Sequence, residues 1–259
     1  MADEPETVAF LGPKASYTHQ ATLTTFPTLP ASHLHPQPTI ADVFTAVQSA
    51  TTTHGVVPFE NSTNGSVVST LDLFADLRAQ HPDILVCGEI YVPVRHCLVG
   101  HLPPGWAGPQ ITTHDDGTAT PTRSAPHPSR PRATPLADLS RVKKLYSHPQ
   151  AWGQCNAFLA TYLKGVERID VSSTSRAAEI AKADGSGESA AVSSEIAAGM
   201  HGLGFLARGI QDAEDNETRF FVLRRAGGDL LTHPSGEAGG AQEATHPKWK
   251  TLVGFTVDH

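Results

Sequence analysis

The sequence predicts an α/β fold in which the strands are largely parallel. Three observations lead to this prediction. Short β-prone runs alternate with helix-like runs along most of the 259 residues. Apolar residues in the helix-like runs recur at intervals of three and four. Polar loops, rich in hydroxyl groups, connect the end of a strand to the start of a helix at several places.

In the first third of the chain, strands and helices alternate. Ile40, Val43, Phe44 and Val47 recur at the spacing of one helix face, which predicts an amphipathic helix. Asn64-Gly65-Ser66 supplies turn and capping chemistry before another helix. The predicted elements are a strand at 7–11, helices at 16–26 and 40–50, a strand at 55–59, a helix at 64–81 with Val67, Val68, Leu71, Phe74 and Leu77 on one face, and a strand at 84–94 that 96–100 extends.

The alternation returns in the second half of the chain. Pro149 suits the first turn of a helix, and a Ser/Thr cluster caps the helix that follows residue 173. The predicted elements are strands at 142–146, 168–171 and 189–193, helices at 149–162, 174–183 and 194–200, and final strands at 203–207 and 218–224.

Two segments interrupt this pattern. Residues 103–138 contain eight prolines and no hydrophobic periodicity. We predict a flexible insertion there, because too few apolar side chains are present to offset the entropy of ordering. Residues 226–247 are rich in Gly, Ala, Ser and Thr and predict a linker, and the apolar run at 249–257 predicts one more strand.

Composition and charge exclude several classes of protein. The formal net charge of −7 leaves no basic footprint for nucleic acid. No apolar run approaches the roughly 18 residues of a membrane span, and the acidic start is unlike a signal peptide. Because the three cysteines are far apart, neither a disulfide framework nor a zinc knuckle is expected, and we predict a reducing, cytoplasmic location.

Nothing in the sequence predicts a metal or a cofactor. The pairs His33/His35 and His96/His101 have no carboxylate at ligand spacing, so we interpret them as solvated or core histidines. The glycine-rich stretch at 199–204 runs from helix to strand, opposite to a dinucleotide-binding loop. We therefore predict that the site uses no metal and no cofactor.

Four polar loops at strand ends hold the candidate functional residues. Ligands of open α/β sheets bind beyond the carboxyl ends of strands, where a helix start offers N–H groups to an anion. One such loop alone is more often a capped turn, but the recurrence favours a site. Arg219 is either a surface charge or a bidentate carboxylate clamp. The loops are residues 12–18, 58–66, 147–150 and 172–175.

Five ordered motifs resemble those of the prephenate dehydratase family. The most specific are Glu60-Asn61-Ser62 with Gly65, Ser147-His148-Pro149-Gln150, and Asn216-x-Thr218-Arg219-Phe220. The resemblance covers residues 7–225 apart from 103–138. It implies a two-lobed α/β fold, like that of type-II periplasmic binding proteins, with the active site in the cleft between the lobes. One lobe would hold residues 7–93 with 208–225, and the other residues 94–207.

The resemblance also implies a reaction and a set of site residues. Prephenate would lose CO2 and water to give phenylpyruvate, in phenylalanine biosynthesis and without a cofactor. Thr218 is implied as the central catalytic residue, and Arg219 as the partner of a substrate carboxylate. Glu60 is implied either to handle a proton or to hold its loop. The other substrate-binding residues implied are Asn61, Ser62, Gln150, Thr174, Ser16, Thr18 and Phe220.

The sequence leaves two alternative functions open. Arogenate dehydratase has a substrate that differs by an amino group in place of the keto group, and a two-lobed binding module could use the same fold without catalysis. Ala15 departs from the family, which usually has glycine there. Residues 248–259 resemble the first strand of an ACT module, so we expect an incomplete regulatory module, lost phenylalanine feedback, and a possible homodimer.

Overall fold

The computed structural model describes residues 5–102, 106 and 130–227. These residues form two compact units. Unit one contains residues 5–11, 21–91 and 219–227, and unit two contains 12–20, 92–102, 106 and 130–218. The elements, in chain order, are β1 (Val8–Leu11), α1 (Tyr17–Thr25), a 3-10 turn (Ala31–His33), β2 (Leu34–Gln37), α2 (Ile40–Gln48), β3 (His54–Asn61), β4 (Gly65–Ser66), α3 (Val68–Ala75), β5 (Ile84–Pro93), β6 (His96–Gly100), β7 (Lys144–Ser147), α4 (Pro149–Gln154), α5 (Asn156–Tyr162), β8 (Glu167–Asp170), α6 (Thr174–Ala183), β9 (Ser189–Ser194), α7 (Glu195–His201), β10 (Gly204–Ala207) and β11 (Glu217–Arg225).

The two units differ from the expected lobes at three places, of which the smallest is that residues 92–93 belong to unit two. Residues 208–218 belong to unit two, because the N–H of Ile210 donates to the carbonyl of His96 and the N–H of Val94 donates to the carbonyl of Asn216. Residues 12–20 also belong to unit two, where Ala15 lies in a buried apolar cluster with Ala177 of α6. The chain therefore changes unit within α1, within β5 and within β11.

Unit one is built on a sheet with the strand order β2-β1-β3-β11-β5, to which β4 adds by pairing with β3. Strand β1 runs parallel to β2 and to β3. Helix α2 begins with a capping box between Thr39 and Asp42, and its Val43, Phe44 and Val47 are fully buried. The amphipathic helix predicted there is thus confirmed, because that apolar face supplies the core that covers the sheet.

Helix α3 is shorter than the predicted helix at 64–81. It ends at Asp76, which adopts a left-handed conformation and whose carboxylate accepts the N–H groups of Gln80 and His81. Val68 is 65% exposed and Leu77 is 82% exposed. The prediction of one helix over 64–81 is therefore wrong at both ends, since the helix begins at Val68 and the left-handed turn at Asp76 stops it before Leu77.

Unit two is built on a mixed sheet with the strand order β10-β6-β9-β7-β8. Strand β7 is parallel to β8 and β9, whereas β6 is antiparallel to β9 and β10. The helix predicted at 149–162 is two helices, α4 and α5, which meet at the buried Cys155. The core of this unit includes Leu98, Leu145, Phe158 and Val192.

The predicted insertion at 103–138 lies mostly outside the described residues. Its last part, residues 130–138, is described and lies against unit two: the N–H of Leu136 donates to the carbonyl of Leu206, at 2.7 Å, and Ala133 and Ala137 contact the core. This end is therefore held by contacts that the composition did not predict. The predicted linker lies outside the described residues from 228 onward, as does the strand at 248–259. None of the helices in the described part is long and apolar enough to cross a membrane.

Candidate active site

The loop after β3 is shaped by Asn61. The side-chain oxygen of Asn61 accepts the N–H groups of Thr63 and Asn64, at 3.0 and 2.9 Å, and this closes a turn. The turn brings β4 back to pair with β3, with Asn61 opposite Gly65. Glu60 and Ser62 are exposed on either side of Asn61. Three of the predicted site residues are thus neighbours at one strand end of unit one.

Arg219 of β11 is engaged within unit one by a carboxylate that the sequence analysis missed. Its Nε and Nη2 atoms both donate to Oε2 of Glu89 on β5, at 2.8 and 2.5 Å. The guanidinium carbon lies 5.3 Å from the ring centre of Phe59 and 4.9 Å from that of Phe221. A guanidinium held at these distances gains from both charge pairing and the faces of the rings.

Thr218 and Phe220 flank Arg219 on the same strand. Side chains alternate along a strand, so these two share one face of β11 and Arg219 points to the other. Phe220 is only 1% exposed. Phe220 is thus a core side chain in this structure, as its place in an apolar strand allows, and its predicted contact with the substrate stays a prediction. Thr218 is half-buried and is the last residue of unit two.

In unit two, the loop before α1 is held in a left-handed turn. Ala15 has a φ of 65° and is fully buried. Its N–H donates to Nδ1 of His19 at 3.0 Å, so this ring nitrogen carries no proton. Burial lowers the pKa of His19, and the charge of Lys14 lowers it further. Neutral His19 therefore caps the loop that carries the predicted residue Ser16.

The start of α6 meets this same loop. Ser173 caps α6 by accepting the N–H of Arg176, and the hydroxyl of Ser175 donates to the carbonyl of Lys14 at 2.6 Å. The hydroxyl of Ser194, at the end of β9, donates to the carbonyl of Ala15. Unit two thus brings the loop of Ser16 next to the helix start that carries Thr174.

Thr18 and Gln150 occupy contrasting positions in unit two. Thr18 is almost fully buried within α1, whereas Gln150 is exposed in the first turn of α4. The N–H of Gln150 donates to Nδ1 of His148, which precedes the helix. Gln150 therefore sits at the carboxyl end of β7, as the polar-loop pattern predicted.

A buried hydrogen-bonded chain connects α1, β6 and α4. Nε2 of His96 lies 2.7 Å from the side-chain oxygen of Gln154, so Nε2 carries the proton that bridges them. Nδ1 of His96 lies 3.4 Å from the hydroxyl oxygen of Tyr17, whose single proton is available either to Nδ1 or to the carbonyl of Arg95, 3.0 Å away. Burial lowers the pKa of His96 and raises that of Tyr17, so both groups are neutral.

Asp212 is a second buried residue whose role the sequence did not show. Its carboxylate accepts the N–H groups of Asn156 and Ala157, both at 3.1 Å, at the start of α5. Its own N–H donates to the carbonyl of Gln154. The neighbouring Gln211 accepts the N–H of His96. Gln211 and Asp212, which lie a few residues before β11, therefore hold His96 and the junction of α4 and α5 in place.

A sequence model of the prephenate dehydratase family matches residues 8–227. The chain belongs to the prephenate dehydratase family. A bifunctional chorismate mutase/prephenate dehydratase of Aquifex aeolicus is 37% identical over 84% of this chain and 48% of its own length. A probable prephenate dehydratase of Saccharomyces cerevisiae is 31% identical over 87% of this chain and 67% of its own length. The chain thus spans about half the length of the bifunctional relatives it matches.

Solved structures share the fold of this prephenate dehydratase family member. The prephenate dehydratase of Arthrobacter aurescens, in complex with L-Phe, has a TM-score of 0.62 and 24% identity, over 92% of this chain and 62% of its own. A structure described as GqqA, a novel type of quorum-quenching acylase, has a TM-score of 0.59 and 25% identity, over 85% of this chain and 64% of its own. The predicted α/β class is confirmed; the structure builds it on two sheets, and the sheet of unit two is mixed, not largely parallel as predicted.

The three cysteines of this family member are unpaired, and the pKa of each thiol is raised. Cys87, Cys97 and Cys155 form no disulfide. Burial raises the pKa of Cys87 and of Cys97 to about 11 and raises that of Cys155 as well. Among the described residues, no group of three or more His, Cys, Asp or Glu side chains is arranged to hold a metal ion. The polar groups of the candidate loops are chiefly hydroxyls and amides.

The residues that sequence reasoning missed are Tyr17, Glu89 and Gln154; His96 was predicted only as a solvated or core histidine and is indeed buried, and no role was predicted for Asp212. Each acts on a partner that lies far away in the sequence: 130 residues separate Glu89 from Arg219, and 79 separate Tyr17 from His96. Local spacing carries no signal for such pairs. The nearest signal was a charged residue within the apolar run of β5, since an acidic side chain there needs a partner.

Proposed function

We propose that the protein is a prephenate dehydratase, which converts prephenate to phenylpyruvate, CO2 and water in phenylalanine biosynthesis. The match of the family across residues 8–227 is the observation that carries this proposal. The polar loops support it, because they offer neutral hydrogen-bond donors at strand ends and helix starts in both units. The acylase activity named for GqqA is not proposed, since that likeness is no stronger than the likeness to the dehydratases.

The chemistry of the reaction fits neutral donors. Aromatisation of the ring drives the loss of CO2, and the barrier lies in the departure of hydroxide, a poor leaving group. A donor aimed at the departing oxygen lowers this barrier, by hydrogen bonding or by proton transfer. A threonine hydroxyl is a weak acid, so we propose that Thr218 donates a hydrogen bond to the leaving oxygen. Because Thr218 is half-buried, its hydroxyl is partly shielded from competing water.

The remaining residues have proposed roles in binding and proton handling. Glu60 is the second catalytic candidate, because its carboxylate is exposed at the end of β3. The expected placement of the site between the two lobes and the pairing of Arg219 with a substrate carboxylate stay predictions. The side chains proposed to bind the substrate by hydrogen bonds are Asn61, Ser62, Gln150, Thr174, Ser16 and Thr18.

The test compares turnover and binding in the same variants. Phenylpyruvate formation from prephenate is measured at neutral pH for the wild type, Thr218→Ala and Thr218→Ser, with Thr161→Ala as a control at an exposed threonine of α5. We expect Thr218→Ala to lower kcat by about 10²- to 10⁴-fold. Calorimetric affinity for prephenate should change little, and Thr218→Ser should retain part of the rate.

Other outcomes would redirect the proposal. Faster turnover of arogenate than of prephenate would make the protein an arogenate dehydratase. Tight binding of prephenate by a wild type without turnover would indicate a binding module. Equal rates for Thr218→Ala and the wild type would remove Thr218 from the mechanism while leaving the reaction in place.

We also propose a homodimer in the cytoplasm. Two apolar side chains are exposed near α3: Val68 at its start and Leu77 just after its end. Leu85, Val86 and Tyr91 are exposed on β5, which is an edge strand of the described sheet of unit one. Exposed apolar side chains beside a sheet edge favour association with a second copy. Light scattering should give twice the chain mass, and Leu85→Glu should lower the fraction of dimer. The unpaired cysteines support a reducing compartment.

A further inference from the structure

The pair of Glu89 and Arg219 is the most constrained charged contact described in unit one. Both nitrogen donors come from one side of the guanidinium and converge on one carboxylate oxygen. The side chains are 25% and 23% exposed, so the pair is largely shielded from water. Charge-assisted bonds of this kind are stronger than neutral ones and more sensitive to geometry.

Aromatic rings restrict the guanidinium further. Phe59 and Phe221 stack with ring centres 4.0 Å apart, and the guanidinium lies near both of them. Tyr91, two residues after Glu89 on the same strand, places a third ring centre 5.8 Å from the guanidinium. Arg219 is thus held by residues of β3, β5 and β11, which lie side by side in the sheet.

This environment is poorly suited to attracting an anionic substrate. The carboxylate of Glu89 cancels most of the field of the guanidinium, and a substrate carboxylate would be repelled by it. Arg219 also points to the opposite face of β11 from Thr218, because side chains alternate along a strand. The contact between Glu89 and Arg219 therefore holds the backbone next to Thr218. The guanidinium itself faces away from the Thr218 side chain.

We propose that Glu89 and Arg219 are positioning residues: their ion pair ties β11 to β5 and so sets the backbone that carries Thr218. In this proposal the position of Thr218, and no pairing with a substrate carboxylate, is what Arg219 supplies, and the variants below decide between the two roles. This inference rests on the proposed function for its effect on rate. The linkage of β11 to β5 by this ion pair, called the tie below, is independent of the reaction.

Four variants test the tie. Glu89→Gln and Arg219→Gln each remove one charge, the double variant removes both, and the pair Glu89→Arg with Arg219→Glu reverses it. Arg225→Gln is the matched control, because Arg225 lies on the same strand and meets Asp83, next to β5, in an exposed pair at 3.5 Å. Each variant is measured for kcat and KM with prephenate, and for unfolding in urea.

Positioning predicts equal and non-additive effects. Each single variant should lower kcat by on the order of tenfold or more, since small misplacements of a reacting group cost that much, with KM changed by less than about threefold. The double variant should be no worse than either single variant, and the reversed pair should recover part of kcat. Arg225→Gln should match the wild type.

A substrate-binding role for Arg219 predicts the opposite pattern. Arg219→Gln would then raise KM much more than it lowers kcat, Glu89→Gln would lower KM by releasing the guanidinium, and the reversed pair would show no recovery. That result overturns the proposal. If the wild type does not turn over prephenate, the proposed function fails, and additive effects of the two single variants on unfolding would still refute the tie.

Discussion

The polar clusters of the two units differ in how they keep polar groups away from water. In unit one, full charges meet on the face of a sheet, where Glu89 and Arg219 compensate each other among aromatic rings. In unit two, buried neutral groups are joined by hydrogen bonds, with His96 between Tyr17 and Gln154. The first arrangement depends on opposite charges, whereas the second depends on protonation state, so the two should respond to different perturbations.

The largest effect on stability is expected at the buried histidine of unit two. His96→Leu removes the partner of the half-buried Gln154 side chain and one contact of the Tyr17 hydroxyl, which keeps the carbonyl of Arg95, and this should cost about 1–3 kcal/mol of unfolding free energy. Urea denaturation measures the loss, and His35→Leu on the exposed face of β2 serves as the control. A loss below about 1 kcal/mol would show that the chain is not a cooperative network.

A smaller effect is expected at the carboxylate that caps α5. Asp212→Ala removes the acceptor of the N–H groups of Asn156 and Ala157 at a helix start. Caps of this kind are worth roughly 1–2 kcal/mol. Hydrogen exchange at these two amides should accelerate together with the loss of stability. Unchanged protection there would mean that another group satisfies the helix start.

Acidification should weaken unit two through its histidines. The pKa values of His19 and His96 are lowered in the folded state from their usual value of 6.5. Above pH 6.5 both side chains are neutral whether folded or unfolded, and their contribution to stability is complete. As the pH falls below 6.5 the unfolded chain gains protons first, so stability falls until the folded pKa is reached, by about 1.4 kcal/mol per unit of pKa lowering.

Urea midpoints between pH 7.5 and pH 5 measure this loss. His96→Gln removes one of the two titrating groups and should reduce the slope of stability against pH. A slope that is the same in His96→Gln and the wild type would show that His96 does not contribute to the loss.

The smallest effect on stability is expected at Ala15, a left-handed residue that shares a buried cluster with Ala177 of helix α6. Ala15→Gly relieves a left-handed residue, a gain of about 1 kcal/mol, but it also loses a buried methyl group. The net change should stay below about 1 kcal/mol. Ala177→Gly, in the same buried cluster but within α6, should cost about 1–2 kcal/mol because no strain is relieved.

The sequence predicted elements whose signals are local. Helix α2 was predicted correctly because the spacing of Val43, Phe44 and Val47 and the cap at Thr39 agree. The polar loops were located correctly, because strand ends and helix caps have recognisable residues. The α3 segment failed because its apolar spacing suggested a long helix while Asp76 formed a left-handed turn that stopped it.

Contacts between distant segments could not be predicted in the same way. The pairing of Glu89 with Arg219 depends on β5 and β11 being adjacent, and strand order is not encoded in local spacing. Phe220 was assigned to the substrate by its motif, although it lies in a strand whose four central residues are all buried. The only signal for the left-handed turn at Ala15 was that the family usually has glycine at this position.

The raised pKa values of the thiols make this chain a convenient background for site-specific fluorescent labelling. At neutral pH a thiol with a pKa of about 11, like those of Cys87 and Cys97, holds much less thiolate than an ordinary exposed cysteine. A maleimide dye should therefore react first with a cysteine introduced on the surface. Thr63→Cys would place such a reporter beside Asn61 in the exposed loop after β3, where its emission could follow ligand binding without removal of the native cysteines.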